Sequence, residues 1–195
     1  MISETDLPPV NRDLDNAELL AIGREFEMRP PVGEEIDEAC ELASRLMAHK
    51  VVSSAKLLEV QLVQPAATLV FKEDGRVAGL SGQLMLKASA VRPLFDGRFD
   101  AVEIDVEHLC RDGERIALGY GWGIAASTRT AGRAIGAFGQ AITARIYCEI
   151  PTLTRAVTPV GRHVAQTRYG YVPLRHPDDD LLIMLPSRAA ERRAA

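Results

Sequence analysis

The chain has 195 residues, 47% of them hydrophobic, with 27 acidic and 23 basic side chains for a formal net charge of −4. That supplies the core of one ordinary domain and excludes wholesale disorder, and the acidic balance speaks against nucleic acid as a main partner. No apolar run reaches the length of a membrane span without a charge, so no membrane partner is expected. The acidic N-terminus does not read as a signal peptide. Three cysteines, Cys40, Cys110 and Cys148, are odd in number and show no C-x-x-C or metal-ligand spacing. Reduced thiols in a cytoplasmic protein, without a metal, are therefore expected.

In chain order, residues 1–14 carry Pro8-Pro9 and scattered charge and read as a mobile arm. Asp15 with Glu18 three residues on marks a helix start, and Leu19, Ile22 and Phe26 carry that helix to about Met28, where Pro30-Pro31 stops it. A second helix is predicted over 34–49, with Ile36, Cys40, Ala43 and Met47 as its stripe and acids in its first turns. From Lys56 the period changes to two, with Leu58, Val60 and Leu62 alternating, which predicts a strand. Two strands, 67–72 and 76–86, flank the turn Glu73-Asp74-Gly75 and predict a hairpin. Residues 87–98, with Arg92-Pro93 and Asp96-Gly97, read as a loop. Val102, Ile104 and Val106 then alternate with Glu103, Asp105 and Glu107, predicting a strand over 101–109 with one acidic face.

The next stretch organises the rest. Residues 116–126 are apolar, glycine-bearing and uncharged, as suits a strand buried on both faces. A helix follows, with Ile135, Phe138, Ile142 and Ile146 on one stripe and Ser127 or Thr128 as its cap. Gly132, Gly136, Gly139 and Thr143 line a neighbouring stripe, where close approach is expected: the sheet at Gly136 and Gly139, a ligand at Gly132. A buried strand running into a helix start is a place for an anion, because the first amides lack internal partners and the macrodipole is positive there. Residues 151–157 form a short strand. Thr158 caps a last helix with Pro159 in its first turn, running to about Arg168 with Gly170 as its terminal glycine. Tyr171 to Leu174, a charged turn over 176–180 and a strand over 181–185 complete the domain. The remainder, 187–195, reads as a solvated tail.

Arg129-Thr130-Ala131-Gly132-Arg133-Ala134 is an R-x-x-G-x-A pattern between a strand and a helix. It resembles the pyrophosphate loop of the GNAT superfamily, the GCN5-related N-acetyltransferases. The segment from Thr154 to Gly161 and on to Tyr169-Gly170-Tyr171 resembles that family's last block, where a fifth strand leads to a short helix ending in a Leu-Gly-Phe-like triplet. The order of elements agrees with the family over about residues 15–186. The resemblance implies an α+β (α/β) fold, a GNAT-like mixed central sheet flanked by helices, in which the fourth and fifth strands splay apart. It implies acetyl-CoA or another acyl-CoA as cosubstrate, with Ile124, Ala126, Arg129, Thr130, Ala131, Gly132, Arg133 and Ala134 as the coenzyme-binding residues. The implied reaction is N-acyl transfer, an amine attacking a thioester directly. A small-molecule amine or other acceptor is the implied partner, and a homodimer is left open.

The chain departs from the family in two places. The tyrosine that often protonates the departing thiolate, five residues before the aromatic of the final triplet, is Gln166 here, and residues 116–126 contain no acid to serve as base. His163 and Tyr120 are the alternative catalytic candidates. Glu103, Asp105 and Glu107 are candidates for holding a cationic acceptor, or a solvated face. Gly121 and Gly123 either bulge the central strand, freeing an amide for the thioester oxygen, or make room for large neighbours. Trp122 and Tyr120 pack the core or wall an acyl pocket. The competing reading is a catalytically silent module on the same fold that binds acyl-CoA or a protein.

Overall fold

A computed structural model of the chain describes residues 2–47, 50–175 and 180–186. Residues 176–179 of the charged turn expected over 176–180, and the tail over 187–195, lie outside the described residues. Among the described residues, six α-helices surround a seven-stranded sheet in the order β1-β2-β3-β4-β5-β7-β6. The helices are α1 (Asn16–Arg24), α2 (Glu35–Leu46), α3 (Ser54–Val63), α4 (Ala88–Phe95), α5 (Arg129–Ile142) and α6 (Pro159–Val164). The strands are β1 (Met28–Arg29), β2 (Thr68–Glu73), β3 (Arg76–Leu86), β4 (Leu118–Ala126), β5 (Thr152–Arg155), β6 (Val172–Pro173) and β7 (Leu181–Met184). All neighbours pair antiparallel except β4 and β5, which are parallel and joined through α5. The sheet is mixed, as expected.

Alternation along β2 separates the two sides of the sheet. Leu69 and Phe71 pack with Leu19 and Ile22 of α1 and with Ile135, Phe138 and Ile142 of α5. Val70, between them, packs with Ala39, Leu42 and Ala43 of α2 and with Ala125 of β4. Further along the α2 face, Leu84, Leu86, Leu118 and Tyr120 meet Ala90, Val91 and Leu94 of α4 and Ile104 and Leu109 of the following segment. The hairpin turn forms as read, with Asp74 and Gly75 both at positive φ (52° and 80°). Both central residues of a type I′ turn need that geometry.

Several local expectations are overturned. The strand expected from Lys56 is α3. Ser53 caps it by accepting from the Lys56 amide at 3.2 Å, and Leu57 and Val60 are buried while Leu58 and Leu62 face out. The i, i+3 pair therefore outweighed the i, i+2 alternation. The residue after it, Gln64, extends the sheet with its side chain. Past the end of β2 its Nε2 donates to the carbonyls of Met85 (2.5 Å) and Cys110 (2.8 Å), and its Oε1 accepts from the Met85 amide (3.1 Å). The expected loop over 87–98 contains α4, because Ala90, Val91 and Leu94 make a buried stripe despite Pro93. The strand expected over 101–109 does not form. Asp100 accepts from the amides of Val102 (2.8 Å) and Glu103 (3.2 Å), and Asp105 caps a 3-10 turn, Val106–His108, by accepting from Glu107 at 3.0 Å. Aspartate side chains took the backbone donors a strand would have used. The first helix ends at Arg24, not Met28, because Glu27 turns to φ 59° and Met28 pairs with Phe71 in the sheet. Residues 2–14, expected as an arm, lie along the domain. Leu14 is buried and bonded to Glu114, and Arg12 pairs with Glu18 and Glu149.

One ion cluster fixes α2 to the sheet. The Glu35 carboxylate accepts from Arg29 (2.7 Å), Lys72 (2.6 Å) and the Val32 amide (3.0 Å). The Arg29 guanidinium first, then Lys72 and the amide, pull its pKa down from 4.5 to about 2. A carboxyl depressed on folding stabilises the fold fully above its unfolded value, and that contribution is lost as pH falls through its folded value. Thermal unfolding at pH 6 and pH 3 should show the parent losing more stability than Glu35→Gln across that interval. Equal losses in both proteins would mean the cluster contributes nothing to folding.

Candidate functional site

Strands β4 and β5 pair at only three positions, Gly119 with Thr152, Tyr120 with Leu153 and Gly121 with Thr154. Beyond that point they part. At the parting β4 bulges: Gly121 faces Gln83 and Gly123 faces Gly82, so Trp122 is the extra residue. The bulge expected of the two glycines forms, and neighbours also press close to both. A Cβ on Gly121 would stand 2.9 Å from the Thr154 hydroxyl, and one on Gly123 would stand 2.7 Å from the Met47 methyl. The Trp122 indole donates to the Ala101 carbonyl at 2.6 Å, tying the bulge to the irregular segment before it.

The parting opens a cleft of about 820 Å³ that is lined from both sides of the sheet. On one side stand Gly139 and Thr143 of α5 and its continuation, with Val160 and Val164 of α6 and Tyr169 beyond it. On the other stand Cys40, Ala43 and Met47 of α2 and the segment from Gly97 to Val102. The free edge of β4 borders this space as far as Ile124, while Ala126 and the helix start from Arg129 to Ala134 lie outside its lining. Ser127 donates to the Ala78 carbonyl at 2.9 Å. Alternation along an antiparallel pair therefore turns the amides of Ala125 and Gly123 toward β3, and those of Ile124 and Ala126 toward the side that β5 has left. The mixed sheet, the parted strands and the helix start beyond them make the fold GNAT-like.

At that helix start Thr128 is the cap, accepting from the Ala131 amide at 3.1 Å. The Gly132 amide bonds the Thr128 carbonyl at 3.0 Å. Among the described residues, the amides left without a partner in this first turn are those of Arg129 and Thr130. The side chains of Arg129, Thr130 and Arg133 are exposed, that of Ala131 is in the core and that of Ala134 is half-buried. A Cβ on Gly132 would meet only the Ala126 methyl, at 3.8 Å, so space is open there. Gly136 and Gly139 have a different cause from the sheet contact expected. A Cβ at Gly136 would stand 3.6 Å from the Arg168 guanidinium, and one at Gly139 would stand 2.7 Å from the Tyr169 hydroxyl. The last helix, not the sheet, comes close.

Of the two catalytic candidates, Tyr120 is a wall of the cleft, and His163 is exposed on α6 outside the lining residues. Tyr120 is buried against Phe99, with ring centroids 5.5 Å apart. Burial raises its pKa, and the Arg155 guanidinium, which hydrogen-bonds it, pulls the other way. Arg155 is in turn held by Asp180 at 2.7 Å. Glu103, Asp105 and Glu107 do not share a strand face, since that strand is absent. Glu103 pairs with Lys50 at 3.0 Å and Asp105 is spent on its cap. Sequence reasoning missed Asp100, the carboxylate that does line the cleft. The Val102 amide first, then that of Glu103, hold its pKa below the usual range, so it is ionised and a weak base. Its signal was an aspartate two residues before a β-like run. Tyr169 was visible only as part of the final triplet. Among the described residues no group of three or more His, Cys, Asp or Glu is placed to hold a metal.

No family model and no curated protein matches the chain. Solved structures overlap with it. Ard1 from Thermoplasma volcanium aligns at 11% identity over 81% of this chain and 95% of that one, with a TM-score of 0.49. A GNAT-like decarboxylase, GphF, solved with isobutyryl-CoA, aligns at 18% identity over 71% of this chain and 70% of that one, with a TM-score of 0.48. Likenesses at this level carry no reaction or residue role to this chain.

The two glycine environments differ in a measurable way. Gly132→Ala fills open space and improves helix propensity, so it should raise stability by about 0.5–1 kcal/mol. Gly139→Ala brings the same gain but drives a methyl against Tyr169, and should lower stability. Urea denaturation of both variants checks this. A destabilised Gly132→Ala would mean that the space above the helix start is not open.

Proposed function

We propose that the chain is an acyl-CoA-dependent N-acyltransferase. The observation that carries this reading is the abandoned edge of β4. Ile124 is 60% exposed and Ala126 half-buried, so the amides on this edge, which have no strand partner, are open to an incoming strand-like ligand. The amides of Ile124 and Ala126 suit the amide-bearing arm of the coenzyme as a strand-like partner. The free amides of Arg129 and Thr130, at the positive end of α5, suit its diphosphate. On this reading the thioester carbonyl lies at the Trp122 bulge, where the two strands part, with edge amides as donors to its oxygen.

The chemistry needs one C–N bond formed and one C–S bond broken. The amine loses a proton and the thiolate gains one. On this reading Tyr120, on the cleft wall and hydrogen-bonded by Arg155, supplies that proton. No histidine lines the cleft among the described residues, and Asp100 is a weak base, so the amine's proton leaves through water. That same lack of a base near neutral pKa favours one second reading, an acyl-CoA-binding module without turnover.

The helix start tests the first step. In Gly132→Asp a carboxylate would face the diphosphate. At about 4 Å and an effective dielectric near 20, one pair of like charges repels by roughly 4 kcal/mol. After screening, a loss of about two orders of magnitude in coenzyme A affinity is expected by calorimetry. Arg129→Ala should lose less, since one exposed arginine contributes about 0–1 kcal/mol. A folded Gly132→Asp that binds coenzyme A as the parent does would remove the diphosphate from this helix. Release of free thiol with a panel of amines separates the enzyme from the silent module.

A further inference from the structure

The cleft is far larger than an acetyl group needs, and most of the walls on the α2 side are apolar. Beyond the Trp122 bulge its walls come from Cys40, Ala43 and Met47 of α2, Val52 and Leu57 around the start of α3, and Phe99. Leu46, 44% exposed, forms the outer lip. Lys50, which lines the cleft between α2 and α3, pairs with Glu103 of the segment opposite at 3.0 Å. Lys50, Thr68, Arg98 and Asp100 also line this side, and a polar acceptor would use them, but against the apolar walls it would lose water without a partner, which is costly. A hydrocarbon chain would lose nothing. The chamber is also continuous with the rift between β4 and β5, so a group attached to the coenzyme thiol reaches it without a turn around the sheet.

We infer that this chamber takes the tail of a medium-chain or longer acyl group. The thioester then lies at the bulge, the coenzyme arm on the α5 side and the hydrocarbon on the α2 side. The inference rests on the acyl-CoA reading and specifies the acyl class. Met47 is the residue at the entrance, since its methyl already sits against Gly123. Unbranched and flexible, it can swing aside as the tail enters. Cys40 lies further in, half-buried, its thiol kept protonated by burial.

Calorimetry with coenzyme A and with acetyl-, butyryl-, hexanoyl- and octanoyl-CoA tests it. Each added methylene that is buried should tighten binding about fourfold, or roughly two orders of magnitude from acetyl-CoA to hexanoyl-CoA. In the parent, octanoyl-CoA should protect Cys40 from alkylation, read by mass spectrometry at that residue, while coenzyme A alone should not. In Cys40→Phe the gain with chain length should stop earlier, with coenzyme A affinity unchanged. If coenzyme A binds but affinity is flat from acetyl to octanoyl and Cys40 stays reactive, the inference is wrong and the coenzyme reading survives. If coenzyme A itself does not bind the parent, the reading fails and takes the inference with it.

Discussion

The structure turns on a broken ladder. After Gly121, β4 and β5 stop exchanging hydrogen bonds, although both strands continue. A parallel pair in the middle of a sheet normally keeps its bonds, because buried amides and carbonyls have nothing else to bind. Parting them is tolerable only where solvent or a ligand meets the freed groups. The cleft, the approach of helices from both sides and the functional reading all follow from that one interruption.

The neighbouring sequence is arranged to hold the gap open. Two glycines flank Trp122, so the strand can bulge where Thr154 and Met47 press in. The indole is anchored to the Ala101 carbonyl, and Arg155, at the end of β5, is clamped by Asp180. On the α5 side, Gly136 and Gly139 let Arg168 and Tyr169 lie close to the helix. The glycines weaken α5, but a core of Ala131, Ile135, Phe138 and Ile142 compensates. On the α2 side the Glu35 cluster sets the helix against the sheet and so places Cys40 and Met47.

Much of the frame was legible. The Asp-Gly hairpin, the caps Thr128 and Thr158, the left-handed Gly170 and the central strand and helix follow from local rules, because side chains next in sequence satisfy them. The two strands that did not form share a cause. Alternation over 58–62 and over 101–107 imitates a strand, but Ser53, Asp100 and Asp105 claim the nearby backbone donors and turn the chain into a helix or a 3-10 turn. Short polar side chains upstream decided the outcome. The loop around Gly132 could be picked out because its pattern is contiguous. On the cleft wall Tyr120 and Trp122 could also be named, since both lie in the central strand. Cys40, Asp100 and Tyr169 could not, because they come from separate segments that only the packing of the sheet brings to one space.

The central claim is that a coenzyme binds along the freed edge of β4. Residue-resolved amide hydrogen exchange, with and without coenzyme A, tests it most directly. Slowed exchange at Ile124 and Ala126, together with Arg129 and Thr130, is the result the account expects. Binding that leaves the Ile124 and Ala126 amides exchanging as before would contradict it.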